Sequence, residues 1–175
     1  MGLPADSAIF EKIMGKRLPV EEYILIEKDK GLFVDLVLNT QGLNKKSRVR
    51  YVLGDVDKFL TSDLAVISEL NVLWLDYCGP ITQLRINLIN QILDNSPEDI
   101  TLGLTFLCGR ERPDVSQDFH LALDVYMKRI HILTSALESH VSVQCLPYQD
   151  KSPMLLFIIK KAKRTTLQVF PVLRS

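Results

Sequence analysis

Asp76 is the residue of this sequence best placed to do chemistry. It ends the apolar run Asn71-Val72-Leu73-Trp74-Leu75 and precedes Tyr77, Cys78 and the turn Gly79-Pro80. Open α/β sheets hold their ligands beyond the carboxyl ends of their strands. A carboxylate there can orient an acceptor nitrogen or oxygen, or take its proton as general base. Tyr77 beside it offers a planar ring for stacking. Two more acids stand in the same relation to earlier apolar runs: Glu27 after Tyr23-Ile24-Leu25-Ile26, and Asp55 after the run Arg48 to Leu53 and Gly54. Arg110 and Arg112, after the run Ile100 to Leu107, are the cations best placed to meet an anionic substrate.

Each of these residues has a plainer role beside the chemical one. Glu27 next to Lys28 and Asp29 is also what a solvated loop start looks like. Asp55 can cap a helix beginning near Lys58, and Asp76 can cap one beginning at Thr82. Tyr77 can serve as wall packing. Cys78 has no evident partner to activate it as a nucleophile, and free cysteines are usually small buried hydrophobes; Cys108 and Cys145 read as packing residues. His120 and His131 share a helical face but lie about 16 Å apart along it, too far to share an ion. No metal site is expected.

These residues need elements to hold them, and the chain alternates strand-like and helix-like segments with no internal repeat. Asp6-Ser7 can open a helix to about Arg17, ended by Pro19. The run Tyr23 to Ile26 predicts a strand, Leu32 to Leu38 a helix closed by Gly42, and Arg48 to Leu53 a second strand. Lys58 to Leu70 is partly helical. Val72 to Leu75 predicts a strand buried on both faces, Thr82 to Leu93 a helix, Ile100 to Leu107 a strand, and Val115 to Leu137 the longest helix. Val141 to Leu146 and Met154 to Lys160, linked through Pro147 and Pro153, predict an antiparallel pair. The pattern is α/β and doubly wound, with helices on both faces of a mostly parallel sheet and a C-terminal antiparallel hairpin. The tail, Thr165 to Leu173, fits a further strand or an arm on a partner.

The chain's 175 residues fit one domain, expected over 1–164 with 165–175 as the tail. Lys+Arg and Asp+Glu number 21 each, so no global field draws the chain to nucleic acid or anionic lipid. A nucleic-acid partner would need a local patch. The basic clusters Lys45-Lys46 with Arg48 and Arg50, and Lys160-Lys161 with Lys163-Arg164, are the candidates, both expected at the sheet end opposite the ligand crevice. Three widely spaced cysteines make no disulfide framework, so a reducing, cytoplasmic setting is expected. No run approaches the roughly 18 apolar residues of a membrane span, and no membrane partner is expected. The apolar tail suits contact with another copy of the chain.

Taken together, the strand-end residues resemble the class I, Rossmann-like S-adenosylmethionine-dependent methyltransferases, over about Leu3 to Lys163. Ile26-Glu27-Lys28-Asp29 looks like the end of that family's second strand, whose acid binds the ribose hydroxyls. Gly54-Asp55-Val56 looks like the turn after its third strand, where an Asp meets the adenine amino group and a backbone N–H meets the ring. Leu75-Asp76-Tyr77-Cys78-Gly79 looks like the motif beside methyl donor and acceptor, and the terminal hairpin is the family's closing element. The resemblance implies S-adenosyl-L-methionine as cofactor, bound by Glu27, Asp55 and Val56, with Asp76 and Tyr77 at the acceptor.

The departure is at the front. Only Met1 to Ala5 precede the first helix, leaving no room for the family's first strand, and one glycine stands where a G-x-G loop belongs. Gly2, Leu3 and Pro4 look like a remnant of that cofactor-binding loop. The expected function is methyl transfer to an acceptor such as nucleic acid or protein. The alternative is a methyltransferase-like interaction or assembly module without catalysis. No G-x-x-x-x-G-K-[ST] phosphate loop occurs to suggest another nucleotide enzyme.

Overall fold

The computed structural model describes residues 22–42, 47–77, 79–107, 119–149, 153–171 and 173–174. The expected first helix, Gly2, Leu3, Pro4, Lys45, Lys46, Cys78, Cys108, Arg110, Arg112 and the side chain of His120 lie outside what is described. The chain divides into two compact units, Met1–Asp63 and Leu64–Ser175.

In the first unit, β1 (Glu22–Glu27) and β2 (Arg48–Leu53) pair in parallel, from Glu22 opposite Arg48 to Glu27 opposite Leu53. Helix α1 (Lys30–Thr40) connects them, as a parallel pair requires a crossover. It starts where Asp29 accepts hydrogen bonds from Gly31 N at 2.8 Å and Leu32 N at 3.0 Å. Its Leu36 joins Tyr23 and Leu25 of β1 in a small core flanked by Val49 and Tyr51 of β2. The buried Thr40 hydroxyl donates to Leu36 O at 2.6 Å and lies 2.9 Å from the Tyr51 hydroxyl, tying the end of α1 to β2. Helix α2 (Val56–Ser62) follows.

The second unit starts with α3 (Leu64–Ile67), so the stretch expected to be partly helical to Leu70 is two short helices broken at Asp63. Then come β3 (Val72–Tyr77), α4 (Gln83–Asn95), β4 (Thr101–Leu107), α5 (Phe119–Ser135), β5 (Val141–Gln149), β6 (Pro153–Lys161), β7 (Thr166–Val169) and β8 (Leu173–Arg174). The six-stranded sheet has the order β3-β4-β6-β5-β7, with β8 also on β5. β3 and β4 are parallel, and β6 runs antiparallel to both β4 and β5. The tail therefore enters the sheet, as β7 and β8 parallel to β5. The sheet is mixed, with the terminal hairpin that the Pro-containing link predicts.

Two crossovers run the same way across this sheet, β3 to β4 and β4 to β5. If both are right-handed they put α4 and α5 on one face. Burial agrees. Leu75, Tyr77, Leu102, Leu104, Phe106, Leu155, Phe157, Ile159, Val141, Val143 and Cys145 alternate onto that face, and all are buried. The other face carries half-buried Trp74, Asp76, Leu156 and Ile158, with Gln144 and Lys160 exposed. The expectation that β3 is buried on both faces is corrected accordingly: Val72 on this second face is 41% exposed. Among the described residues no helix is long and apolar enough to cross a membrane.

Candidate functional site

The sequence-predicted acids fall in both units, and each unit places its own differently. In the first, Glu27 is the last residue of β1 and Asp55 lies two residues beyond β2. The ends of these neighbouring strands are knit together, because Gly54 N donates to Glu27 O at 2.9 Å. The Glu27 carboxylate turns back to accept the Asp29 amide at 2.8 Å. Asp55 is exposed and is the N-cap of α2, accepting from Asp57 N at 3.1 Å and Lys58 N at 3.2 Å. Its neighbour Val56 is the first residue of that helix. The helix-capping role foreseen for Asp55 is therefore real, and Asp29 is a second capping acid that the sequence reading passed over. An acid directly before a helical run was the available signal.

In the second unit, β3 runs two residues further than expected, so Asp76 and Tyr77 belong to the strand and point to opposite faces. Asp76 is half-buried and accepts a hydrogen bond from the hydroxyl of Thr105, its register partner on β4. Thr105 is itself buried. The capping role considered for Asp76 belongs to another residue: Thr82 is the N-cap of α4, its hydroxyl 3.4 Å from Arg85 N. Two residues earlier on the Asp76 face, Trp74 lies over Gly103 so closely that a Cβ there would sit 2.2 Å from the indole Cε3.

Tyr77 is buried on the helix-covered face. Its ring stacks on Phe106 at 5.2 Å, and the Arg85 guanidinium lies 4.3 Å from its centroid. Arg85 Nη1 also donates to Pro80 O at 2.7 Å. Thr105 and Arg85 were not foreseen. Recognising Thr105 needs the β3–β4 register, and Arg85 is reached only through the turn that Gly79 and Pro80 make.

Of the remaining candidates, Cys145 is buried in β5, and burial pushes its thiol up to about 12, so it is no nucleophile. Arg48 makes an exposed ion pair with Glu22 at 3.7 Å, and the Arg50 guanidinium lies 5.9 Å from the Phe59 ring centroid. Lys161 donates to Ser96 O at 2.6 Å, while Lys160, Lys163 and Arg164 are exposed. Lys160 pairs with Thr101, so this cluster sits at the amino ends of the parallel strands, away from Asp76. Among the described residues no group of three or more His, Cys, Asp or Glu could hold a metal ion.

Comparison with solved structures adds the fold. The chain is similar to a structure of a fibrillarin/Nop5p complex, with TM-score 0.54, 10% identity, 91% of this chain and 83% of that one covered. It also matches a predicted O-methyltransferase of Agrobacterium tumefaciens (TM-score 0.46, 14% identity, 87% and 69% covered). A third match is the tRNA methyltransferase TrmK of B. subtilis (TM-score 0.44, 12% identity, 93% and 67% covered). The likeness to the fibrillarin/Nop5p structure shows a shared α/β fold. No family model matches the chain, and no curated protein does. At these identities the likeness concerns fold alone, and function has to be argued from the residues.

Proposed function

We propose that the chain is an S-adenosylmethionine-dependent methyltransferase with the doubly wound arrangement of that class. The observation that carries the reading is Asp76: a carboxylate near the end of β3, oriented by Thr105 while Thr82 caps the following helix. An acid that merely closed a strand and opened a helix would hold the Thr82 position instead.

The residues fit the cofactor's chemistry. A carboxylate has about four acceptor sites. On Glu27 the Asp29 amide takes one of these, which leaves capacity for a pair of ribose hydroxyls. Asp55 and the backbone at Val56 are the adenine candidates in this reading, and Gly2, Leu3 and Pro4 belong to it as the remnant loop. When bound, S-adenosylmethionine supplies a methyl group already activated on a sulfonium. What remains for the protein is to hold the acceptor in line, which can account for most of the rate. Asp76 would orient the acceptor's N–H or O–H and take its proton, and Tyr77 would anchor the strand end that carries Asp76. Arg110 and Arg112 are proposed for an anionic acceptor such as nucleic acid, with the exposed Lys160, Lys163 and Arg164 as a local patch. Leu167 and Val169, exposed on β7, and Phe170 just beyond it are proposed for self-association.

Calorimetric titration with S-adenosylmethionine tests the reading on the wild type and on Glu27→Ala. Saturable heat that the substitution abolishes is expected. One observation favours the non-catalytic alternative: Asp55 already has a structural task as a helix cap. Absence of heat from the wild type at high ligand concentration would leave that alternative standing.

A further inference from the structure

Arg85 occupies the third position of α4, in the first turn, where the positive end of the helix dipole disfavours a cation. Helix stability therefore does not call for an arginine there. Its contacts point back to the end of β3. Nη1 donates to Pro80 O at 2.7 Å, and the guanidinium lies 4.3 Å from the centroid of the Tyr77 ring. Gly79 provides the room. A Cβ at that position would come within 3.0 Å of Nη1 and 3.4 Å of Nη2, and its φ is not in the left-handed region, so the need is space and not conformation. The carbonyl of Gly79 accepts the Leu107 amide at 3.1 Å, joining the same turn to the end of β4. Tyr77, gripped by Arg85, directly follows Asp76, while Thr105, which binds Asp76, lies two residues before Leu107.

We infer that Arg85 is a positioning residue for Asp76: its planar fork fixes Tyr77, Gly79 and Pro80, and so sets how the tip of β3 presents that carboxylate. The inference rests on the methyl-transfer reading, which gives Asp76 its task. Lysine cannot substitute. A point charge on a flexible stem lacks the planar group that donates to Pro80 O at one end while the guanidinium carbon stays 4.3 Å from the Tyr77 centroid.

The test uses the full chain and four variants: Arg85→Met, Arg85→Lys, Gly79→Ala and the Gly79→Ala/Arg85→Met double. Three signals are read: the side-chain carboxyl ¹³C resonance of Asp76, hydrogen exchange at the Leu107 amide, and calorimetric affinity for S-adenosylmethionine. In Arg85→Met the Asp76 resonance should move and the Leu107 amide should exchange about tenfold faster or more, as loss of a hydrogen bond from a charged donor implies. Affinity should stay within about twofold. Arg85→Lys should behave like Arg85→Met. Gly79→Ala, which crowds the guanidinium at 3.0 Å, should move both signals in the same direction but by less, and the double variant should add nothing to Arg85→Met. Gly79→Ala keeps the test alive if Arg85→Met does not fold. An unmoved Asp76 resonance in Arg85→Met would overturn the inference, as would full recovery with lysine. So would parallel losses of affinity and melting temperature, which would mark general loosening. A wild type that takes up no S-adenosylmethionine sinks the methyl-transfer reading instead, while the Asp76 and Leu107 signals still decide whether Arg85 controls that carboxylate.

Discussion

Asp55 and Asp76 stand at comparable places in the two compact units, each at the end of a parallel strand and ahead of a helix, yet the structure uses them differently. Asp55 directly precedes α2, so its carboxylate meets the helix's first amides and caps it. Asp76 is seven residues ahead of α4, within β3, and Thr82 takes the cap. Its carboxylate is turned across the sheet to Thr105. The spacing between acid and helix decides the outcome. With no intervening residue, the orphan amides of the first turn capture the acid. With a longer loop that carries its own hydroxyl, the acid keeps the orientation the strand gives it.

The packing beneath the two acids differs as well, and this gives the largest expected effect. Under Asp76, the Trp74 ring fills the space a side chain at Gly103 would need. Gly103→Ala should therefore destabilise the protein by about 1–3 kcal/mol, the usual cost of overpacking. Gly54, beside Asp55, has only a Val52 methyl at 4.0 Å. Gly54→Ala should stay within about 0.5 kcal/mol of wild type, like other substitutions away from packed features. Urea denaturation of the two variants checks the contrast, and equal losses would break it.

Next come the acids themselves. Asp55→Ala should cost about 0.5–2 kcal/mol, and Asp55→Ser should restore most of it, because serine caps nearly as well. Thr82→Ala should cost a similar amount in the other unit. Asp76→Asn should change stability little, since the amide oxygen still accepts from Thr105, but should abolish methyl transfer. Asp55→Ser separates cap from cofactor contact: wild-type stability with weakened S-adenosylmethionine binding is expected, and unchanged binding would confine Asp55 to capping. Thr105→Val should cost about 1 kcal/mol by removing the hydrogen bond to Asp76. Thr105→Ser should cost less than Thr105→Val, and equal losses would show that the hydroxyl contributes nothing.

How far these roles could be read in advance depends on how local their causes are. The strands ending at Glu27, Leu53 and Leu107 and the terminal hairpin follow from apolar runs bounded by turn residues, and they stand within a few residues of where the runs end. The overrun of β3 through Tyr77 has a tertiary cause. Asp76 and Tyr77 extend the ladder because Thr105 and Phe106 face them on β4, and the β3 sequence does not contain that partner. The one-sided apolar burial of the second sheet is also tertiary, since it follows from the strand order, which sends the β3–β4 and β4–β5 crossovers the same way. Asp29 was legible as a cap. Thr105 and Arg85 were not, because each acts through a contact more than four residues away or across a turn.

The smallest effect concerns the ion pairs. Arg48 and Glu22 start neighbouring strands of the first unit, 3.7 Å apart, with their side chains 80% and 39% exposed. A pair so hydrated gains little in a high dielectric and loses side-chain entropy, so Arg48→Ala should shift stability by no more than about 0.5 kcal/mol, and less at high salt. Lys161 in the second unit is the contrasting case. Its side chain is 14% exposed, and its ammonium donates to Ser96 O besides facing Glu98 at 3.6 Å. Lys161→Met removes a charge-assisted hydrogen bond to a buried residue, and about 1 kcal/mol or more should be lost, with weak dependence on salt. Melting curves of both variants across ionic strength settle the matter. A large, salt-sensitive loss at Arg48 would mean that the edge of the first unit depends on its charges, and the view of its core as set by Tyr23, Leu25 and Leu36 would have to change.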